Sequence, residues 1–399
     1  MSGDTEVRRA LQRIQAPDEL EAQRRAWPLV RGAFEAREPV TWHRRNLIPL
    51  LAAAAVVVLL AAVLSPPGRA LVGSVRDAFE SETPKAKPAL TSLPAPGPLL
   101  VNSPTGPWMV RADGSTRHLT PWWEGAWSPQ AKFVAVTRAH QLAAIDPHAQ
   151  GEVHWTVSRK GAVHAARWSP QAGDRVAYLN GRQLRVIAGD GTDDKVLRRR
   201  VGATPPAWRP GGDRELAFST IDGRIELAET DGGDAVWRTS PGEVPTQLAW
   251  SEDGKRLLAL GPRTLRAWAD NGQKLWTIGL PVGPSGIAFV RGSHRFVLIR
   301  YSAATGRSDL VLYQAESNPG EARFLWSAAG DFGSLAMSPN GKWLLVSWVN
   351  ANEWLFLRLT ASKVTAVSGI AELFGGSTRR KRIEDVFPKS VSWCCPASP

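Results

Sequence analysis

The side chains with the clearest potential for chemistry are two adjacent cysteines in the stretch "VSWCCP". Cys394 and Cys395 are the only cysteines among the 399 residues. Two thiolates are too few for a multi-cysteine zinc site, so the chemistry open to them is oxidation as a redox pair. Neighbouring Cα atoms lie about 3.8 Å apart, below the usual disulfide range, and neighbours on a strand point to opposite faces. We therefore interpret the cysteines as packing residues of a strand, with a redox pair as the alternative.

The other residue types that perform catalysis or bind metals form no recognisable set. The seven histidines include no H-x-x-x-H or H-E-x-x-H pattern, and none lies beside a cysteine. The sequence also has no G-x-S-x-G elbow and no phosphate-binding glycine loop. We therefore predict a non-enzymatic protein with no catalytic residues, no metal site, no cofactor and no hydrolase domain.

Two runs of basic residues could contact an anion. The first is "KVLRRR" at residues 195–200, and the second comprises Arg379, Arg380, Lys381 and Arg382. Such charges also occur on solvent-exposed loops and on edge strands, where they oppose sheet aggregation. The second run is the candidate for contact with anionic lipid headgroups or a cell-wall polymer.

One segment predicts a membrane anchor. Residues 47–64 are uncharged and apolar, Arg44 and Arg45 precede them, and Pro66 and Pro67 follow. A helix of this length extends about 27 Å, enough to cross a bilayer core. The basic excess on the N-terminal side predicts a single-pass signal anchor in the cell membrane, with a cytoplasmic N-terminus. A cleaved signal peptide and a buried helix are the alternatives.

The anchor divides the rest of the chain into three parts. Residues 1–46 predict a cytoplasmic helical segment, of which residues 1–45 could bind a cytoplasmic protein. Residues 65–97 predict a juxtamembrane helix and a proline-rich linker. Residues 98–399 are then extracytoplasmic, and we expect no nucleic-acid partner for them. The net charge of +12 is spread along the chain and is not concentrated in one segment.

Residues 98–399 contain an internal repeat. Its opening strand occurs as "GAWSPQ", "ARWSPQ", "PAWRPG", "LAWSED", "IAFVRG", "LAMSPN" and "VSWCCP". The aromatic or methionine position falls at Trp127, Trp168, Trp208, Trp250, Phe289, Met337 and Trp393. The spacings are 41, 40, 42, 39, 48 and 56 residues. A period near forty predicts a repeat architecture in which each repeat is one supersecondary unit.

Each repeat has the pattern of four antiparallel strands. A turn follows the opening strand, then a continuous apolar strand such as "RLLAL", then an alternating strand, then a strand containing tryptophan. This pattern predicts the blades of an all-β, seven-bladed β-propeller. The chain before Trp127 supplies three strands without a first, and "VSWC" is a first strand without the others. We therefore predict that the two ends of the domain share one blade.

The repeats carry two family resemblances. "WSPQAKFVAV" and "MSPNGKWLLVS" resemble the W-S-P-D-G-K unit of TolB-type and WD-like propellers. "AAIDPHAQGEVHWTV" and "RAWADNGQKLWTI" are similar to the docking repeat of quinoprotein-like propellers, including the outer-membrane assembly scaffold BamB. Some quinoprotein dehydrogenases also hold an adjacent-cysteine disulfide against their cofactor.

Three functions are compatible with these features. The first is a membrane-anchored binding or scaffold module for an envelope protein, a peptide or a polymer. The second is a transmembrane sensor of the anti-sigma type, in which the propeller is coupled to a cytoplasmic regulator. The third is a quinone-dependent dehydrogenase. We expect the first, because the fold is of a binding type and the sequence holds no catalytic set.

Overall fold

The computed structural model describes residues 90–395, except 150, 171–173, 213, 284–285, 317–318, 320–321, 361–362 and 376–381. All of them belong to the unit Glu82–Pro399. The predicted segments 1–46 and 47–64, and most of 65–97, lie outside the described residues. Within the described residues, none of the helices has the length and apolar character needed to span a membrane.

The described strands form seven antiparallel sheets of four strands each, which confirms the predicted seven-bladed propeller. The blades are numbered in ring order, and their strands are given from the channel outward. Blade 1 contains β28 (Ser390–Trp393), β1 (Leu99–Ser103), β2 (Gly106–Val110) and β3 (Thr116–His118). Blade 2 contains β4 (Glu124–Trp127), β5 (Val134–Arg138), β6 (Gln141–Asp146) and β7 (Glu152–Ser158). Blade 3 contains β8 (Val163–Trp168), β9 (Arg175–Asn180), β10 (Gln183–Ala188) and β11 (Lys195–Arg199).

The remaining four blades follow the same plan. Blade 4 contains β12 (Ala207–Trp208), β13 (Glu215–Ser219), β14 (Ile225–Glu229) and β15 (Ala235–Arg238). Blade 5 contains β16 (Gln247–Trp250), β17 (Arg256–Leu260), β18 (Thr264–Ala269) and β19 (Lys274–Gly279). Blade 6 contains β20 (Ile287–Phe289), β21 (Arg295–Ser302), β22 (Arg307–Gln314) and β23 (Arg323–Ala329). Blade 7 contains β24 (Phe332–Met337), β25 (Trp343–Trp348), β26 (Glu353–Arg358) and β27 (Val364–Ser368).

The shared blade closes the ring as predicted. β28 pairs antiparallel with β1, with Leu99 opposite Trp393 and Val101 opposite Val391. The indole Nε1 of Trp393 also donates to the carbonyl of Gly97, at 3.1 Å. Pairing covers an edge that each of these strands would otherwise expose.

The core is divided among the blade interfaces. Seven clusters of buried apolar side chains lie one at each interface between neighbouring blades. The second and third strands are buried on both faces, which explains their continuous apolar sequences. The ring is thus a single structure built from strands that lie between residues 99 and 393.

The meander of each blade gives the ring two faces. Because successive strands are antiparallel, the turns between strands 1 and 2 and between strands 3 and 4 emerge on one side, the upper face. The turns between strands 2 and 3 and the connections between blades emerge on the lower face. The described residues of the last connection include two short helices, α1 (Ile370–Gly375) and α2 (Ile383–Val386), in the segment that gives the longest repeat spacing.

Candidate functional site

The repeat tryptophans lie where the first strands reach the upper face, and several join neighbouring blades. Trp208 Nε1 donates to the carbonyl of Arg167 at 2.9 Å, and Trp250 Nε1 donates to that of Ala207 at 3.2 Å. Each acceptor precedes the repeat tryptophan of the preceding blade. Trp168, Trp208, Trp250 and Trp393 are buried, whereas Trp127, Phe289 and Met337 are half-buried. Their contacts are those of structural residues.

The fourth-strand tryptophans make a second set of connections between neighbouring blades. Trp155 Nε1 of blade 2 donates to the carbonyl of Gly189 in blade 3, at 2.7 Å. Trp237 Nε1 of blade 4 makes the same bond to Asp270 in blade 5, at 2.8 Å. A Cβ atom on Gly191 would lie 2.7 Å from Cγ of Trp155, so this turn accepts the ring only because residue 191 is glycine.

An open cleft of about 680 Å³ lies on the upper face between blades 2 and 3. It combines aromatic rings with charged and amide side chains. Its lining includes Gln130, Lys132, Phe133, His154, Trp155, Trp168, Asp174 and Asp190. Volumes of this size are typical of ligand sites in proteins.

The aromatic wall of the cleft is held by mutual packing. The rings of Phe133 and His154 meet edge to face with centroids 4.5 Å apart, and Phe133 stacks on Trp168 at 6.4 Å. The ammonium group of Lys132 lies 5.3 Å from the centre of the Phe133 ring. This packing fixes the position of an aromatic surface beside a cation.

The acidic side of the cleft is equally fixed. Asp190 accepts hydrogen bonds from the hydroxyl and the backbone N–H of Thr192, at 2.7 and 3.0 Å, and these bonds lower its pKa. Asp174 accepts from Ser169 Oγ at 2.9 Å. Ser128 Oγ accepts a hydrogen bond from the backbone N–H of Phe133, so this serine stabilises the turn between β4 and β5. The cleft therefore offers aromatic, cationic and anionic contacts to a ligand.

The cysteines lie directly behind this cleft. β28 ends at Trp393, so Cys394 and Cys395 follow the strand, and the structure joins their sulfur atoms as a disulfide. Neither residue lies within the strand, and the interpretation of the pair as packing residues, with a redox pair as the alternative, stays a prediction. Both Sγ atoms face the carbonyl of Ser128, at 3.6 and 3.7 Å.

A second cleft, of about 580 Å³, lies on the upper face between blades 5 and 6. His294 of blade 6 contacts Asp253 Oδ2 of blade 5 through Nε2 at 2.9 Å, and Glu316 Oε1 through Nδ1 at 2.7 Å. Arg256 also pairs with Glu316, at 2.8 Å. Sequence reasoning missed this cluster because its members are 22 and 41 positions apart and form no local motif.

The cluster favours a protonated histidine. Burial alone would lower the pKa of His294, but the hydrogen bonds to Asp253 and Glu316 outweigh it and raise that pKa. Burial of Asp253 is likewise outweighed by its bonds to Ser251 and His294, which lower its pKa to about 2. Both ring nitrogens are engaged, so the histidine serves as a connection between two blades.

The predicted basic run is only partly described. Arg379, Arg380 and Lys381 lie outside the described residues. Arg382 is exposed on the lower face and lies 3.6 Å from Asp385 and 3.9 Å from Glu384. Among the described residues, no group of three or more His, Cys, Asp or Glu side chains is arranged to hold a metal ion.

The comparisons with known proteins establish the fold. No family model matches the chain. A Bacillus subtilis (strain 168) protein named "Uncharacterized peptidase YuxL" is 31% identical over 150 residues, which cover 36% of this chain and 22% of that relative. The chain thus spans about a fifth of the length of the curated relative it matches.

Two solved structures resemble the propeller. A functionally unknown protein from Desulfotomaculum acetoxidans DSM 771 matches with a TM-score of 0.56 at 12% identity, covering 75% of this chain and 100% of that one. The WD40 domain of Toxoplasma gondii coronin matches with a TM-score of 0.50 at 11% identity, covering 61% and 69%. At these identities the likeness concerns the fold alone, which is that of a β-propeller.

Proposed function

We propose that this protein is a non-enzymatic binding module that holds a peptide or an envelope polymer in the upper-face cleft between blades 2 and 3. The observation that carries the proposal is the open cleft itself, whose lining combines aromatic rings with a cation and two carboxylates. In the proposed arrangement residues 47–64 anchor the protein in the cell membrane, and the propeller is extracytoplasmic.

The chemistry of the cleft supports an extended ligand. Phe133 and Trp155 offer apolar surface, while Lys132 and Asp190 offer charges of opposite sign. Rigid aromatic surfaces contribute contact area at low entropic cost, and the charges orient the ligand.

Site-specific crosslinking tests the proposal. A photocrosslinking amino acid replaces Gln130 at the cleft, or Gln273 on the upper face of blade 5 as the matched control, in the full chain in its native membrane. Both positions are exposed. We expect a defined adduct from position 130 only, reduced severalfold by Lys132→Glu. Equal adducts from both positions, or none from position 130, contradict the proposal.

Two further measurements test the remaining parts. Purified protein is assayed with peptidase substrates, because one relative is named a peptidase. Turnover that Lys132→Glu or Asp190→Asn abolishes contradicts the non-enzymatic role. A topology reporter fused to the C-terminus should be active only outside the cytoplasm, and cytoplasmic activity contradicts the proposed location.

A further inference from the structure

The lower face carries a group of unpaired cations that the proposed function does not use. In blades 2 to 5, seven exposed basic residues lie in the turns between strands 2 and 3, in the connections between blades, or at the strand ends that enter them. These residues, the basic arc, are Arg138, Lys160, Arg182, Arg199, Arg200, Arg238 and Arg263. Within the described part of the chain, none of their side chains forms an ion pair or a hydrogen bond.

The acids in the same turns and connections do not neutralise the arc. Among the described residues there are two, Asp222 and Glu243. Asp222 is bonded to Thr220 Oγ1 and lies 3.9 Å from Arg224. Glu243 accepts from the backbone N–H of Arg263 at 2.8 Å and from Thr264 Oγ1 at 2.5 Å. The guanidinium and ammonium groups of the arc are therefore free to meet an external anion.

Backbone hydrogen bonds hold the arc as one surface. Gly181 N donates to Ala162 O at 2.8 Å, and Val201 N donates to Arg182 O at 3.1 Å. Ile221 N donates to Arg200 O at 3.1 Å, and Leu280 N donates to Arg263 O at 2.7 Å. These hydrogen bonds link each turn to a neighbouring connection. The backbone segments that carry the cations therefore form one continuous surface.

Exposed aliphatic side chains lie among these cations. Ile221, Val244 and Val282 are 36%, 37% and 70% exposed, and all three lie in the turns and connections of blades 4 and 5. Trp123 and Leu373 are further exposed apolar residues on this face. Among the described residues, the other large exposed apolar side chains, Val153, Val236 and Phe324, lie on outer strands, and the upper face has none.

We propose that the basic arc, together with Ile221, Val244 and Val282, docks the lower face onto an anionic lipid bilayer. Cations attract lipid phosphates, and aliphatic side chains at loop tips enter the boundary between headgroups and acyl chains. A soluble polyanion would use the cations alone and would leave the aliphatic residues without a role. The combination of the two residue types on one face therefore favours a lipid surface.

Vesicle binding by the fragment Glu82–Pro399 tests this inference without the proposed anchor. The fragment contains every described strand and the complete ring, and a thermal melt verifies that each variant is folded. The probes are vesicles of phosphatidylcholine, alone or with about one third phosphatidylglycerol, at physiological and at raised salt. We expect binding only to the anionic vesicles, and weakening by salt.

Two variants and a matched control separate the contributions. The first variant removes four cations of the basic arc and is Arg182→Gln/Arg199→Gln/Arg200→Gln/Arg263→Gln. It should lower the partition coefficient for the anionic vesicles at least tenfold, since each cation near such a surface contributes about fivefold. Ile221→Ser/Val282→Ser should lower it severalfold. Lys255→Gln/Lys274→Gln/Lys342→Gln/Lys363→Gln removes the same charge from exposed positions of the upper face and should change it less than twofold.

Three results overturn the inference. The first is no binding to the anionic vesicles, and the second is an equal loss in the upper-face control. The third is binding to soluble polyphosphate with no effect of Ile221→Ser/Val282→Ser on any probe, which would assign the arc to a polyanion. The crosslinking test of the cleft concerns the other face, so either proposal can fail alone.

Discussion

At the scale of single residues, the joints between blades depend on glycines that accept a tryptophan ring. Gly191 has a φ of +87°, and a Cβ atom there would lie 2.7 Å from the ring of Trp155. Gly151 occupies the corresponding turn of blade 2 with a φ of +76°, but a Cβ atom at this position would have no neighbour within 4 Å. The two glycines therefore have the same left-handed backbone conformation, but only Gly191 lies against a tryptophan ring.

The substitution Gly191→Ala should therefore destabilise the protein more than Gly151→Ala does. Both changes place a Cβ atom in left-handed backbone, which costs about 1 kcal/mol. Only Gly191→Ala also displaces the Trp155 ring, at an additional cost of about 1–3 kcal/mol. Urea unfolding of the two variants measures the difference, and equal free energies of unfolding would show that the ring contact does not hold the blades together.

The His294 cluster makes the stability of the ring depend on pH. A raised pKa in the folded state contributes stability that is complete below the unfolded pKa of about 6.5 and is lost as the pH rises through the folded value. The lowered pKa of Asp253 contributes stability that is lost as the pH falls from about 4 towards 2. The cluster should therefore stabilise the fold most between about pH 4 and 6.5.

Comparison with His294→Gln measures this contribution. We expect the wild type to be more stable than the variant by about 1 kcal/mol near pH 5.5, a modest value because Asp253 and Glu316 are each 44% exposed. The difference should diminish as the pH rises through the raised pKa of His294 and the imidazole loses its proton. A difference that is constant from pH 5 to 9 would contradict a role for the imidazolium.

At the scale of elements, the last connection shows how a long connection between blades becomes part of the core. Phe374 of α1 is fully buried, and its ring lies 5.1 Å from that of Trp354. The carbonyl of Phe374 accepts hydrogen bonds from Ser103 Oγ at 2.9 Å and from Thr105 Oγ1 at 2.6 Å. The helix therefore joins blade 7 to blade 1.

Truncation of this side chain should be costly. We expect Phe374→Ala to lower the free energy of unfolding by about 3–5 kcal/mol, the usual range for a buried phenylalanine. Leu373→Ala, at the exposed neighbouring position, should cost less than about 1 kcal/mol. Denaturant titration of both variants checks the prediction, and a small effect at Phe374 would mean that α1 is not part of the core.

The blades could be predicted from the sequence because their signals are local. A turn followed by an apolar strand such as β17 repeats near every fortieth residue, and the incomplete ends complement each other. The residues that form the clefts could not be predicted in this way, because they lie far apart in the sequence. His294 meets Asp253 from 41 positions away, and the cleft between blades 2 and 3 draws on both blades, so only the closed ring brings these residues together.

At the scale of the whole molecule, the two faces differ in character. The upper face carries both clefts and charges of both signs, whereas the lower face carries the basic arc and exposed aliphatic residues. If residues 47–64 span the membrane as proposed, the 25 residues from 65 to 89 can extend up to about 80 Å. That reach allows an anchored propeller to present its lower face to the same bilayer.

Closure of the ring should make its stability a property of the whole molecule. In an open stack of repeats, loss of a terminal strand affects mainly its neighbour. Here β28 is the first strand of blade 1, and its buried Val391 and Trp393 belong to the cluster between blades 7 and 1. A chain that ends at Lys389 loses this strand, exposes the edge of β1 and should be destabilised by more than about 5 kcal/mol. A chain that ends at Cys395 keeps every described strand and serves as the control. Thermal unfolding followed by tryptophan fluorescence compares the two, and control-like stability in the shorter chain would refute closure by the shared blade.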